Sequence, residues 1–241
     1  MKTAKILAAV MALVMCLGML AGCAGSGDSG YTANNTEYVI GLSGPLTGGA
    51  AMYGTAVANS AQMAVEEINA AGGLNGIKFK LVAMDDMHDP SKIPTNYAAL
   101  LEGGMQLSLG TVTTDPGKEF KNLALEDNVF FLTPSASGDS IPEHPNGYQM
   151  CFADGNQGKV AAEFVNSQFE GQTIGVFYKS DDSYSKGIFD QFMANKSAGI
   201  TVVETNFTEA NTTDFASQID TLKECKFIFM PIYYTPASLF M

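Results

Sequence analysis

Hydroxyl side chains, one acid and two phenols stand in short loops of this sequence, where they could hold a small ligand. Together with the small residue Ala136, these side chains belong to Thr113, Thr114, Ser135, Ser137, Asp154, Tyr184 and Tyr233. Hydroxyls and backbone amides can bind a carboxylate, an Asp can bind an ammonium group, and Tyr rings can cover an apolar side chain. The sequence contains no Arg. These groups therefore fit a zwitterionic amino acid better than a phosphate.

The elements that must position these loops alternate between strand and helix patterns. Strands are predicted at 38–42, 77–84, 105–111, 129–133, 173–178, 200–205 and 227–230, and helices at 55–71, 90–102, 115–127, 156–169, 184–197 and 213–223. Such alternation predicts parallel sheets covered by helices on both faces. In open parallel sheets, ligands bind at the carboxyl ends of strands beside helix N-termini, which is where the loops fall.

Composition and charge exclude several classes of protein. The chain has 241 residues, of which 46% are hydrophobic and 16% charged, so it can bury the core of one or two domains. Its formal net charge is −12 and every basic residue is Lys, a balance that repels nucleic acid phosphates and anionic lipid headgroups. His88 and His144 are too few for a metal site or a catalytic triad built on histidine. We therefore predict no nucleic-acid partner and no cofactor.

The first residues have the pattern of an export signal. Lys2 and Lys5 precede an apolar run at 6–19, which is too short to span a bilayer as a helix. The run ends in Leu-Ala-Gly-Cys at 20–23, which resembles the lipobox of bacterial lipoproteins. That resemblance implies a signal peptide at 1–22, a lipid on Cys23 and a flexible tether at 23–37, and thus a membrane-anchored, extracytoplasmic protein. An ordinary signal peptide is the alternative.

Two cysteines and a cluster of acids with one histidine could each have a structural or a chemical role. Cys151 and Cys225 would remain after processing, and the sequence does not decide whether they form a disulfide. Asp85, Asp86, His88 and Asp89 could form a metal cluster, but a strand end followed by a helix start at Asp89-Pro90 explains them better. Asp115-Pro116 has the same pattern and predicts the start of another helix.

Several segments resemble one protein family. They are 40–48, 53–54, 64–76, 85–86, 89–90, 110–114, 133–137, 157–158 and 214–215. The most specific is Glu-Glu-Ile-Asn-Ala-Ala-Gly-Gly-Leu-Asn-Gly at 66–76. The sequence is similar here to the substrate-binding proteins of branched-chain amino acid ABC importers, the leucine/isoleucine/valine-binding protein family. The resemblance implies a periplasmic binding protein type I fold, with two doubly wound α/β lobes of parallel sheet, at 38–154 and 155–241, joined by a hinge.

The resemblance also implies roles for individual residues on the carboxylate side of a ligand. Thr114 matches a hydroxyl residue that helps to hold the carboxylate at a helix start. Ser135 and Ala136 match loop positions that offer backbone groups, although Ser135 could serve only the turn. Ser137 matches a residue whose hydroxyl and amide meet the ligand.

The remaining matched positions concern the ammonium group and the side chain of a ligand. Asp154 matches an acid near the crossover between the lobes, a partner for the ammonium group or for the hinge, with a helix cap as the alternative. Tyr53, Tyr184 and Tyr233 match aromatic positions around the ligand side chain, although Tyr53 could be ordinary packing.

Members of the family continue beyond the length of this chain. We therefore expect an incomplete second lobe and hinge, an apparently truncated protein, and apolar surface exposed on the first lobe.

The predicted function is a receptor that binds a small amino acid and delivers it to the permease of an ABC importer. A binding lobe that senses another small carboxylate or amide, without transport, is the alternative. An enzyme is the least favoured hypothesis, because the sequence has no G-x-G-x-x-G, P-loop or G-x-S-x-G motif.

Overall fold

The computed structural model describes residues 36–241 of the chain. The predicted signal peptide, Cys23 and the tether up to residue 35 lie outside the described residues. The described residues form eight strands: β1 Glu37–Gly44, β2 Lys78–Asp85, β3 Leu107–Ser108, β4 Phe131–Thr133, β5 Gly147–Gln149, β6 Thr173–Lys179, β7 Thr201–Phe207 and β8 Ile228–Phe229. The helices are α1 Ala51–Ala70, α2 Ile93–Glu102, α3 Thr114–Glu126, α4 Asp154–Phe169, α5 Ser183–Asn195, α6 Ala216–Leu222 and α7 Tyr234–Phe240. Within this range, no helix combines the length and apolar character that crossing a bilayer requires.

The first five strands form one parallel sheet in the order β2-β1-β3-β4-β5. Strand β1 pairs with β2 along its whole length, from Glu37 opposite Lys78 to Gly44 opposite Asp85. The chain then crosses to the other side of β1 to form β3, so the order of strands reverses between β1 and β3. Such a reversal opens a crevice at the carboxyl ends of the strands.

Helices α2 and α3 cover one face of this sheet and form its core with the strands. The fully buried side chains of this core include Leu100, Met105, Phe120 and Phe131. Because parallel crossovers are right-handed, α1 lies on the opposite face. Only Gly54 and Val65 of α1 are buried. Met52 and Met63 of this helix are 67% and 69% exposed.

The last three strands form a second parallel sheet in the order β7-β6-β8. Side chains of β6 alternate between its two faces, as the twofold period of a strand requires. Ile174 and Val176 pack with α4 and α5, and Phe177 packs on the other side in a cluster with Leu222 of α6. Both faces of β6 are therefore buried, as the sequence pattern predicts.

Backbone geometry explains two of the differences from the predicted boundaries. The strand predicted at 105–111 is reduced to Leu107–Ser108, since Gly110 has a φ of +61° and the Ser108 hydroxyl accepts from the Gly110 amide at 2.7 Å. Helix α1 begins at Ala51, four residues before the predicted start. Its first turn packs against the loop after β1, where a Cβ at Gly54 would lie 2.0 Å from the Pro45 carbonyl oxygen.

Of two predicted helix starts, one is confirmed and one requires a correction. The Asp89-Pro90 prediction is confirmed, since Asp89 accepts from the Ser91 amide at the start of a short 3₁₀ turn. Asp115 is not the cap of α3, because this helix begins one residue earlier, at Thr114. The carboxylate of Asp115 instead accepts from the amide of Ser183, the first residue of α5. The terminal helix α7 was not predicted from the sequence.

Candidate functional site

A cavity of about 300 Å³ lies between the two sheets, at the carboxyl ends of the strands of the first. Its walls come from α1, from the loops after β3, β4 and β5, and from the starts of α4, α5 and α7. The lining residues are Tyr53, Val112, Thr113, Thr114, Pro134, Ser135, Ser137, Cys151, Phe152, Gln157, Tyr184 and Tyr233. Seven of the nine residues that the sequence predicted for ligand binding are among them. The structure therefore brings together residues that are up to 180 positions apart in the chain, as the spacing of Tyr53 and Tyr233 shows.

The first sheet supplies hydroxyl groups to one wall of the cavity. Thr113 is the N-cap residue of α3, Thr114 is its first residue, and both are buried. The loop after β4 is held by Thr133, whose hydroxyl donates to the Thr111 carbonyl at 2.7 Å and accepts from the Ala136 amide at 3.1 Å. These bonds fix the loop that carries the two serines of the wall.

Ala136 does not reach the cavity wall, unlike its neighbours Ser135 and Ser137. Its side chain is buried in the core of the first sheet, and its amide is already bonded to Thr133. The Ala136 amide is therefore not free for a ligand.

Asp154 lies directly behind the hydroxyl wall and is 2% exposed. It is the first residue of α4 and not its N-cap, which is Ala153. Thr114 Oγ1 donates to Asp154 Oδ2 at 3.4 Å, and the Asp154 amide donates to the Ser137 carbonyl at 2.9 Å. Burial raises the pKa of the Asp154 carboxyl to about 6. Among the described residues that line the cavity, none supplies a positive charge to compensate this acid.

Three buried polar atoms around the cavity have no hydrogen-bond partner within residues 36–241. They are Asp154 Oδ1, Thr113 Oγ1 and Gln157 Nε2. Buried polar groups in folded proteins are nearly always bonded, so three unpaired atoms at one place are typical of a site that a ligand completes. Asp154 and Gln157 are three residues apart in α4 and therefore share one face of the helix.

Aromatic rings form the opposite wall of the cavity. Tyr184 and Tyr233 are stacked, with ring centroids 4.8 Å apart and an interplanar angle of 20°. Tyr53 comes from α1 and meets Tyr233 edge-on at 5.7 Å. Burial raises the pKa of the Tyr184 phenol to about 12, so this group is neutral at physiological pH. The rings offer an apolar surface with hydroxyl groups at its edges.

The sequence reasoning did not assign Val112, Pro134, Cys151, Phe152 or Gln157 to the site. Gln157 belongs to Gln157-Gly158, one of the segments that resemble the family, and this resemblance could have pointed to it. Cys151 was predicted only as a thiol of undecided pairing. Both Cys151 and Cys225 are free, and Cys151 Sγ donates to the Ser135 carbonyl at 3.2 Å. Burial raises the pKa of the Cys151 thiol.

The two acids at the end of β2 bond to β1 and to the loop that follows β1. Asp85 accepts from the Leu46 amide at 2.8 Å and from the Thr47 hydroxyl at 2.6 Å, and Asp86 accepts from the Ser43 hydroxyl at 3.1 Å. Across the described part of the chain, no group of three or more His, Cys, Asp and Glu side chains is arranged to hold a metal ion.

The groups of the cavity are suited to binding by hydrogen bonds and charge. Its twelve described lining residues include no His, Lys or Arg that could activate Ser135 or Ser137 as a nucleophile. Hydroxyl donors stand on one side, a buried carboxylate lies behind them, and aromatic rings cover the other side. Such a site can hold a small molecule that carries both an acidic and a basic group.

Comparisons with known proteins agree with this geometry. Residues 37–236 match the family model described as periplasmic binding protein. The Leu/Ile/Val-binding protein homolog 3 of Brucella melitensis is 31% identical over 214 residues, which cover 87% of this chain and 58% of that protein. The leucine-, isoleucine-, valine-, threonine- and alanine-binding protein of Pseudomonas aeruginosa is 29% identical, over 92% of this chain and 61% of that protein. The chain thus spans less than two thirds of the length of these relatives.

Solved structures show the same fold. The substrate-binding protein LivJ of Streptococcus pneumoniae, solved in complex with isoleucine, superposes with a TM-score of 0.74 at 27% identity, over 82% of this chain and 57% of that one. A solute-binding protein of Rhodopseudomonas palustris BisB5, in complex with 3,4-dihydroxybenzoic acid, gives a TM-score of 0.76 at 18% identity, over 86% of this chain and 57% of that one. The predicted fold class is therefore confirmed.

Proposed function

This chain belongs to the periplasmic binding protein family, and we propose that it is an extracytoplasmic receptor for a small amino acid, branched-chain or related. The proposed receptor binds its ligand unreacted and delivers it to the permease of an ABC importer. The names of the Brucella and Pseudomonas relatives, and the isoleucine bound to LivJ, support this class of ligand.

The observation that carries the proposal is the buried carboxylate of Asp154. One of its oxygens has no bonding partner among the described residues, and no lining residue of the cavity supplies a positive charge. The cost of an isolated buried carboxylate is large, and a ligand ammonium group would remove it. The hydroxyls of Thr114 and Ser137 line the cavity beside this acid. Once an ammonium group binds Asp154, these hydroxyls can turn their protons to the ligand carboxylate.

The arrangement of the cavity also supports closure around the ligand. Hydroxyls come from the first sheet, whereas Tyr184 and Tyr233 come from the part of the chain that carries the second. We assign residues 38–154 and 155–241 to two lobes that close together, so that ligand binding shifts the equilibrium toward the closed form. A lipid on Cys23 would hold the receptor at the outer face of a membrane, near its permease.

The proposal is tested by calorimetry with L-leucine, L-isoleucine and L-valine on the chain that lacks residues 1–22. Two analogues of L-leucine serve as probes, 4-methylpentanoate without the amine and 3-methylbutylamine without the carboxylate. We expect binding of at least one amino acid, and we expect both analogues to bind more weakly. Recovery of the amino acid unchanged, measured by mass spectrometry, would support binding without turnover.

Matched variants identify the two ends of the ligand. Thr114→Ala or Ser137→Ala should weaken amino acid binding by about 1–3 kcal/mol, the scale of an unmet buried polar group. Asp154→Asn should reduce the affinity for 3-methylbutylamine more than that for 4-methylpentanoate. Equal binding of 4-methylpentanoate and L-leucine would contradict the amino acid assignment and favour the alternative, a receptor for small carboxylates.

A further inference from the structure

We propose that Asp115, Lys118 and His88 form a clamp on the first residues of α5, and that this clamp positions Tyr184 at the cavity without touching the ligand. The inference rests in part on the proposed function, since Tyr184 is one of the proposed ligand residues. We call these three residues and their partners, Asp182 and Ser183, the α5 clamp.

The first turn of α3 provides two contacts of the clamp. Asp115 Oδ2 accepts from the Ser183 amide at 3.1 Å, and Lys118 Nζ donates to Ser183 Oγ at 2.6 Å. Lys118 also lies 4.0 Å from Asp115 Oδ1, so the two side chains form one charged pair around Ser183. A carboxylate at the N-terminus of a helix is favoured by the free amides there and by the helix dipole.

His88 provides the third contact, from the loop after β2. His88 Nε2 lies 3.2 Å from Asp182 Oδ2, while the other oxygen of Asp182 accepts from the Ser185 amide at 2.9 Å. Asp182 is 3% exposed, so this contact is shielded from water and from salt. The His88 ring also meets the Tyr233 ring edge-on at 5.2 Å.

These contacts join the two sheets at residues that are next to the cavity. Ser183 directly precedes Tyr184, and Tyr233 is the ring on which Tyr184 stacks. Neither Asp115, Lys118 nor His88 is among the residues that line the cavity. The first turn of α3 therefore has two functions: Thr114 points to the cavity, and Asp115 and Lys118 hold the helix that carries Tyr184.

The clamp has a defined consequence for affinity. If the two sheets separate, Ser183 and Asp182 must exchange their partners in the first part of the chain for water. The contacts therefore favour the closed arrangement before any ligand binds, and a ligand that selects this arrangement binds more tightly. Loss of a clamp contact should lower the closed population and the affinity together.

The test compares two lysines of equal exposure. Lys118 and Lys186 are both 43% exposed, but Lys186 pairs with Asp190 within α5, whereas Lys118 reaches Ser183 from α3. We expect Lys118→Met to weaken L-leucine binding by about threefold to tenfold in calorimetry, and Lys186→Met to leave it unchanged. Lys118→Arg should restore most of the affinity. Ser183→Ala combined with Lys118→Met should weaken binding no further than Lys118→Met alone.

Small-angle X-ray scattering of the ligand-free protein tests the clamp without a ligand. Lys118→Met and His88→Asn, which is too short to reach Asp182, should increase the radius of gyration, whereas Lys186→Met should not. If the wild-type protein binds no amino acid, the proposed function fails and the scattering result still decides the clamp. Two results would overturn the α5 clamp. One is an equal effect of Lys118→Met and Lys186→Met on the scattering or on the affinity. The other is an unchanged radius of gyration for both Lys118→Met and His88→Asn.

Discussion

Thr114 Oγ1 and Asp154 Oδ2 lie 3.4 Å apart, and both residues are almost fully buried, 40 positions apart in the chain. The contact joins the start of α3 to the start of α4. Two helix N-termini therefore meet at one carboxylate, and the hydroxyl groups proposed to bind a ligand carboxylate stand beside the acid proposed to bind its amine. A zwitterion matches this pairing of groups.

The first prediction concerns the stability of the ligand-free protein. The pKa of Asp154 in the folded state, about 6, lies above the ordinary value of 3.8. The folded state therefore binds an extra proton between these values, and Asp154 lowers stability as the pH rises through that range. We expect Asp154→Asn to increase the free energy of unfolding on the order of 1 kcal/mol at pH 7.5, and by less at pH 4.5.

Urea unfolding at the two pH values measures this difference. Asp220→Asn is the control, because the Asp220 side chain is 75% exposed and should give no comparable gain. A gain from Asp154→Asn that is equal at both pH values would show that it arises from packing and not from the charge.

The second prediction concerns the pH dependence of binding. An ammonium group stabilises ionised Asp154, so its pKa in the complex must fall below the value of about 6 in the free protein. Affinity for L-leucine should therefore be constant above pH 7 and decrease as the pH falls below 6. Calorimetry at pH 5.0 in two buffers of different ionisation enthalpy should detect release of a proton on binding. Affinity that is independent of pH between 5 and 8 would exclude contact between Asp154 and the amine.

The third prediction uses the thiol in the cavity wall. Because burial raises the pKa of Cys151, its reaction with a disulfide reagent should be slow at pH 7 and faster at pH 9. L-leucine should protect Cys151, since the thiol lines the cavity, and should leave Cys225 unaffected. The rates are assigned with Cys151→Ser and Cys225→Ser variants. Equal protection of the two thiols would indicate a general change in stability instead of occupancy of the cavity.

The fourth prediction concerns the packing that places Tyr53. A Cβ at Gly54 would lie 2.0 Å from the Pro45 carbonyl oxygen, which is too close for any relaxed contact. Gly54→Ala should therefore shift the start of α1 and destabilise the protein by about 1–3 kcal/mol. Gly49→Ala, in the loop that precedes α1, is the control, since a Cβ there has no atom within 4 Å. Thermal unfolding of the two variants should separate them, and equal stability would show that the loop after β1 adapts freely.

Local patterns were sufficient for the fold and for much of the candidate site. The alternation of apolar runs with helical periodicity predicts parallel sheets, and the geometry of such sheets places the loops after their strands at one edge. Thr113, Thr114, Ser135 and Ser137 were predicted on this basis and lie at the cavity wall. Strand length was less well predicted: β3 ends early because Gly110 adopts a left-handed conformation that no periodicity reports.

Contacts between the two sheets were beyond sequence reasoning. Asp115 has the pattern of a helix cap, yet its carboxylate binds the Ser183 amide, 68 positions away. Cys151 has no pattern that points to a ligand, but the tertiary structure places it at the cavity. By itself, the sequence determined which backbone segments form strands and helices and which loops share an edge, because hydrophobic periodicity encodes these. Only the tertiary structure decided which side chains meet across the cleft, because that depends on how two separately formed sheets are placed against each other.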